Sequence, residues 1–272
     1  MTWVIGMPGL LFGGAVISDI RTTLIDRQGH QRPFPVGVQK VHALVPNSVV
    51  AFSGEVDVAL YLIEEGRTQM LRDWPGPGWS LPPGILAERW SRRLPRVWHR
   101  QFGKTKKLPV ELLVMGSSGR ERRDPFQRTR GFVLRSPRFL PEEIPAQTAL
   151  AIGSGSAVTG YQEALARVMD PNSSDFWSVV NVGETGGQVS GSLPIWAFLL
   201  DTEVAKARDQ TVSEHLHLCL VRDDGVTIQQ NDLERPDGSG PPRRMPAVVT
   251  SLSAWRDECR RSGVAAGQSA IG

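Results

Sequence analysis

The chain has 272 residues, 40% hydrophobic and 22% charged, with a formal net charge of +3 at pH 7 carried mostly by arginine. That suits one globular domain with additions and a solvated basic surface, not a nucleic-acid footprint. No apolar run reaches the ~20 residues of a membrane span, residues 1–11 lack a basic leader segment, and Cys219 and Cys259 have no metal-ligand or disulfide spacing, so a reducing cytoplasm is expected.

In chain order, 2–6 and 14–18 read as two strands around Pro8-Gly9. The continuous apolar run Ala15-Val16-Ile17 suits a strand covered on both faces. Residues 21–37 read as a polar loop with Gly29, Pro33 and Pro35. Residues 37–45 and 48–52 form a second strand pair around Pro46-Asn47. A helix begins near Glu55 with Val56, Leu60 and Ile63 on one face, and Gly66 is its weak point. The Pro/Gly-rich stretch 74–83 is a loop. A second helix spans 84–102, with Leu86, Trp90, Leu94 and Val97 on its packed side and a kink expected at Pro95.

Strands follow at 109–115, 131–135 and 149–152, with a charged hairpin tip over 120–130. Helices are predicted over 161–169, from about 175, and over 193–208. The glycine-rich run 183–192 lacks the Gly-Lys-Ser/Thr ending of a phosphate loop. Residues 215–221 and 226–230 form a hairpin around Asp223-Asp224-Gly225. The Pro/Gly/Ser/Arg-rich stretch 236–244 is a linker, 247–262 a short helix, and the small-residue end a mobile tail. The expected division is a hydrolase-like domain over 2–231 and a linker with C-terminal tail over 232–272. The element order fits an α+β fold, and more than one α+β fold fits it.

Four residues carry chemistry when taken together. If Met1 is removed, Thr2 offers a hydroxyl and a free α-amine on one residue. The hydroxyl is a weak nucleophile that needs a base. The α-amine, with an ordinary pKa of about 7.7–8.0, can take its proton. A lysine nearby lowers that pKa by like-charge repulsion, and an aspartate holds the lysine. Lys40, flanked by Val38 and Val41, needs an anion if it points into a core, and Asp19 is the candidate. A backbone N–H at the Gly54 turn would bind the developing oxyanion. Arg21 reads as a structural support for Asp19.

Thr2 with Val4 and Gly6, Asp19-Ile20-Arg21, Lys40-Val41 and Ala51 to Gly54 resemble, in order and at nearly the same spacing, the β-type subunits of proteasomes and their bacterial homologues, within the N-terminal nucleophile hydrolases. Gly153-Ser154-Gly155 resembles the Gly-Ser-Gly that precedes the family's third helix. The resemblance covers about residues 2–230. It implies a four-layer αββα sandwich, two antiparallel sheets between helix pairs. It implies a threonine-type endopeptidase in a homo-oligomeric ring, acting on peptides or unfolded proteins and served by an unfolding ATPase, with no cofactor, metal, nucleic acid or membrane.

The resemblance also implies that Ser154 lies near the threonine amine. An aspartate and a hydroxyl before the penultimate strand should complete the site. Glu184-Thr185-Gly186-Gly187 offers one register, with Val182 where aspartate is expected. The favoured register takes Asp201 or Asp209 as the aspartate and Thr211 or Ser213 as the hydroxyl; Asp201 and Ser213 are the working choices. Thr23, Val38, His42, Phe52 and Val56 are the expected substrate-binding residues, lining a mostly apolar pocket. His215 and His217 share a strand face without an evident third metal ligand. The alternatives are an N-terminal nucleophile amidase acting on a small amide, and an inactive ring or scaffold subunit.

Overall fold

The computed structural model describes residues 3–9, 13–25, 28, 30–73, 81–103, 109–118, 128–153, 215–229, 246–264 and 269–271, with 163, 166–167, 170 and 172–174. It is a mixed α+β structure built on two five-stranded antiparallel sheets. The first sheet contains β1 (Val4–Pro8), β2 (Gly14–Asp19), β11 (Leu150–Ile152), β12 (Leu216–Arg222) and β13 (Gly225–Gln229), in the order β11-β1-β2-β12-β13. The second contains β6 (Val41–Val45), β7 (Ser48–Gly54), β8 (Val110–Ser117), β9 (Thr129–Arg135) and β10 (Pro141–Ile144), in the order β10-β9-β8-β7-β6.

Alternation along the strands explains how these sheets stack. Successive side chains point to opposite faces, so residues two apart share a face. Val4, Val16, Ile152, Cys219 and Val221 of the first sheet share one buried cluster with Val41, Val49, Ala51, Leu113, Met115 and Val133 of the second. The intervening residues of the second sheet, Val50, Phe52, Leu112, Val114 and Leu134, pack instead with the helices α1 (Val56–Asp73) and α2 (Pro83–Phe102). The described layers are therefore a helix pair, a sheet and a second sheet. The expected helices over 161–169, from 175 and over 193–208 lie largely or wholly outside the described residues.

Both helices bury the faces their sequence spacing predicts. Val56, Leu60 and Ile63 of α1 and Leu86, Trp90, Leu94 and Val97 of α2 are all buried. Gly66 proves to be a packing requirement rather than a weak point: a Cβ there would lie 2.5 Å from Cζ2 of Trp90. Glycine thus lets the two helices approach closely. Pro95 sits inside a continuous helical span.

Three features differ from the sequence reading. The polar stretch 21–37 contains a hairpin, β3 (Thr23–Ile25) with β4 (Gln31–Pro33). β10, also not expected, is an edge strand that starts at Pro141, where a missing N–H costs no ladder bond. The strand expected over 37–45 is broken at Gln39-Lys40 into β5 (Gly37–Val38) and β6. β5 pairs in parallel with β14 (Val248–Val249), whereas β6 pairs with β7. The chain changes partners at the lysine.

The segment after the linker joins the same structure. Helix α3 runs over Leu252–Arg261 and is capped by Ser251, whose hydroxyl accepts from the Ala254 N–H. Its Trp255 ring lies 4.9 Å from the Phe34 ring and belongs to the helix-side core. Arg256 pairs with Asp57 at 3.0 Å, and the Glu64 carboxylate accepts the Leu252 N–H at 2.9 Å. Residues Ser269–Ile271 form β15, which pairs antiparallel with β3; the expected mobile tail therefore includes a paired strand. Among the described residues, no helix is long and apolar enough to cross a membrane.

Candidate active site

The site grows from the partner change at Gln39-Lys40. At the break the Gln39 N–H donates to the Val249 carbonyl and the Lys40 carbonyl accepts the Phe52 N–H, while the Lys40 side chain reaches the end of β2. Its side chain is wholly buried. Lys40 Nζ donates to Asp19 Oδ1 at 2.6 Å and to the Arg21 carbonyl at 2.7 Å. The same Asp19 Oδ1 accepts the Trp3 backbone N–H at 2.8 Å, and the Asp19 N–H donates to the Trp3 carbonyl at 3.0 Å. Asp19 Oδ2 accepts the Arg21 N–H at 3.1 Å. One buried carboxylate thus joins the ammonium of Lys40 to the peptide bond that links Thr2 to Trp3.

Burial drives the electrostatics of this pair. Loss of solvent pushes Lys40 below the ordinary lysine range, and Asp19 opposes that shift by charge attraction and by its hydrogen bond. Arg21 contributes to these bonds through its backbone N–H and carbonyl.

Gly54 ends β7, two residues before α1 begins at Val56. Its φ is +99°, and a Cβ there would lie 2.0 Å from the Pro109 carbonyl oxygen. Only glycine fits both the conformation and the space. Gly153, which closes the turn before Ser154, also has positive φ, at +84°. Thr2, Ser154, Asp201 and Ser213, together with the alternatives Asp209 and Thr211, lie outside the described residues.

The expected pocket residues are placed differently. Val38, Phe52 and Val56 are fully buried members of the helix-side core. They pack within that core and line no open cleft among the described residues. Thr23 is buried on β3. His42 is buried beside Phe52, with ring centroids 6.2 Å apart. Its Nε2 lies 2.8 Å from the Gln39 carbonyl oxygen. A carbonyl only accepts, so Nε2 carries the proton. Burial pushes His42 down to about 4, which leaves it neutral at neutral pH.

His217 faces the inter-sheet core on β12, opposite Ser18 of β2. Neither of its ring nitrogens has a hydrogen-bond partner among the described residues. Burial, with the Lys40 charge in second place, pushes it to about 4. Cys219, two residues on, is buried in the same core, and its thiol is pushed up to about 12. Such a thiol is a packing group and not a nucleophile at neutral pH.

Glu111 was not singled out in the sequence. It sits on the inter-sheet face of β8, where its Oε2 accepts the Ser53 hydroxyl at 3.0 Å and the Gly153 N–H at 2.7 Å. Arg135 Nε donates to Oε1 at 2.7 Å. The available signal was a lone carboxylate within the apolar strand Val110-Glu111-Leu112-Leu113-Val114. An open groove of about 560 Å³ lies between α1 and α2 and is lined by residues including Met70, Arg89 and Trp90. None of the residues around Lys40 lines it. Known protein-family models give no match to this chain, and neither do curated proteins.

Proposed function

We propose that the chain is a threonine-type peptidase of the proteasome β class. The observation that carries this reading is the shared Asp19 oxygen: it holds a buried lysine beside the first peptide bond after Thr2. A lysine is costly to bury, and a chain with only a packing requirement at that point would be served by an apolar residue. The chemistry requires Thr2 to be the mature N-terminus.

In the proposed reaction, Thr2 Oγ attacks the carbonyl carbon of a peptide bond, and its proton passes to the Thr2 α-amine. Lys40 keeps that amine partly neutral through its positive charge, and Asp19 fixes the lysine. The Gly54 N–H binds the oxyanion of the tetrahedral intermediate. The intermediate collapses to an ester as the leaving amine takes the proton. Water activated by the Thr2 amine then hydrolyses the ester and restores the hydroxyl. Ser154, Asp201 and Ser213 are proposed to steady the amine. On this reading, 154–214 supply a second helix pair that completes a four-layer αββα sandwich. Copies of the chain assemble as a ring in the cytoplasm, with an unfolding ATPase as a further partner.

Fluorogenic peptides test this reading. Wild-type protein with Thr2 at its N-terminus should hydrolyse them, and Thr2→Ala should fold normally and lose at least about a thousandfold in kcat. Equal hydrolysis by both proteins would reject it. A panel of small amides hydrolysed in place of peptides would favour the amidase.

A further inference from the structure

We infer that Glu111 is a positioning residue that sets the two glycine turns of the proposed site relative to one another; this rests on the peptidase reading above. Its Oε2 atom accepts two hydrogen bonds. Ser53, whose hydroxyl donates to that oxygen, is the residue before Gly54. Gly153, whose N–H donates to it, is the residue before Ser154. Gly54 belongs to the second sheet and Gly153 follows β11 of the first. A single oxygen therefore spans the gap between the sheets, beside Gly54 and at Gly153, two of the glycines that take positive φ. Arg135 holds the other carboxylate oxygen, so the carboxylate plane is fixed from a third direction.

Backbone donors act in catalysis only when they are aimed at the position the oxyanion will occupy. Gly54 has no side chain of its own to set the direction of its N–H, and it is the last residue of β7, paired with Val110. The bond to Ser53 anchors the residue before Gly54, and the bond to Gly153 ties it to the residue that precedes Ser154 in the chain. Charge strengthens both bonds, because the acceptor is the carboxylate of the Arg135 ion pair. The Glu111 side chain touches neither substrate nor nucleophile on this account. It acts through the two turns.

The test compares wild type, Thr2→Ala, Glu111→Gln, Glu111→Ala and Ser53→Ala for kcat and KM on a fluorogenic peptide and for melting midpoint. Glu111→Ala should lower kcat by between about tenfold and a hundredfold while KM stays within about twofold. Glu111→Gln should fall between Glu111→Ala and wild type, because its amide oxygen can still accept from Ser53 and Gly153 but carries no charge, and its amide nitrogen cannot accept from Arg135. Ser53→Ala frees only the Gly54 side and should show a smaller fall in kcat. If Glu111→Ala does not fold, Ser53→Ala and Glu111→Gln decide. A carboxylate that merely ties the sheets together would lower the melting midpoint and leave kcat per folded molecule unchanged in all three variants; that result would overturn the inference while leaving the peptidase reading intact. Hydrolysis by Thr2→Ala at the wild-type rate would instead overturn the peptidase reading, and this inference with it.

Discussion

Lys40 and Asp19 form an ion pair 2.6 Å long with both side chains fully buried, where the chain passes from β5 to β6. Removing one partner leaves the other charge in the core, whereas removing both leaves neither. Asp19→Asn and Lys40→Met should each cost about 3 kcal/mol, and the double variant should cost at least 1 kcal/mol less than their sum, by order of magnitude. Urea unfolding of the four proteins measures the coupling. Strict additivity would show that the pair is not coupled.

Gly54 is constrained twice, by its φ of +99° and by the Pro109 carbonyl oxygen 2.0 Å from where a Cβ would sit. Backbone cannot move aside as a flexible side chain can. Gly54→Ala should destabilise the protein by about 2–4 kcal/mol. It should also lower peptide hydrolysis per folded molecule, because relief of the clash re-aims the Gly54 N–H. Chemical denaturation with a parallel activity assay checks both.

The buried histidines predict acid sensitivity of a definite sign. His42 and His217 have folded pKa values depressed from 6.5 to about 4. Below 6.5 the unfolded chain binds protons that the folded chain refuses, so stability is full above 6.5 and is lost as pH falls through about 4. Each histidine contributes on the order of 1–3 kcal/mol to that loss. Melting midpoints between pH 7.5 and 4.5 should fall, and His217→Leu should flatten the lower part of the curve. An unchanged slope in that variant would show that His217 is solvated.

Trp255 is almost fully buried and packs on Phe34, so α3 belongs to the helix-side core and not to a detached tail. Trp255→Ala should cost about 3–5 kcal/mol. It should shift one cooperative melting transition rather than abolish a separate small one. Two transitions in the wild-type melt would contradict this.

Particular residues show which parts of the structure were legible. The Asp19–Lys40 pair was, because a lysine between Val38 and Val41 requires an anion wherever the strand is buried. Glu111, a lone carboxylate in an apolar strand, requires donors by the same logic, and those donors come from Ser53, Gly153 and Arg135. The break at Gln39-Lys40 depends on Val248–Val249 in β14, some two hundred residues away, and no local pattern announces it. β4 was hidden because Gln31–Pro33 is exposed throughout and carries no alternation. Val38, Phe52 and Val56 were expected to line an apolar pocket, and an apolar side chain suits a pocket wall and a packed core equally; only the packing against the helices distinguishes them. Gly66 looked like a defect because only the facing Trp90 explains it.

The most direct test concerns the N-terminus itself. The protein is incubated with a peptide electrophile that reacts only where a hydroxyl and a free α-amine share one residue, and the adduct is located by peptide mass spectrometry. The account predicts a single adduct on Thr2, with Met1 absent and hydrolysis abolished in step with labelling. Undiminished hydrolysis by protein that retains Met1, with no adduct on Thr2, would contradict it.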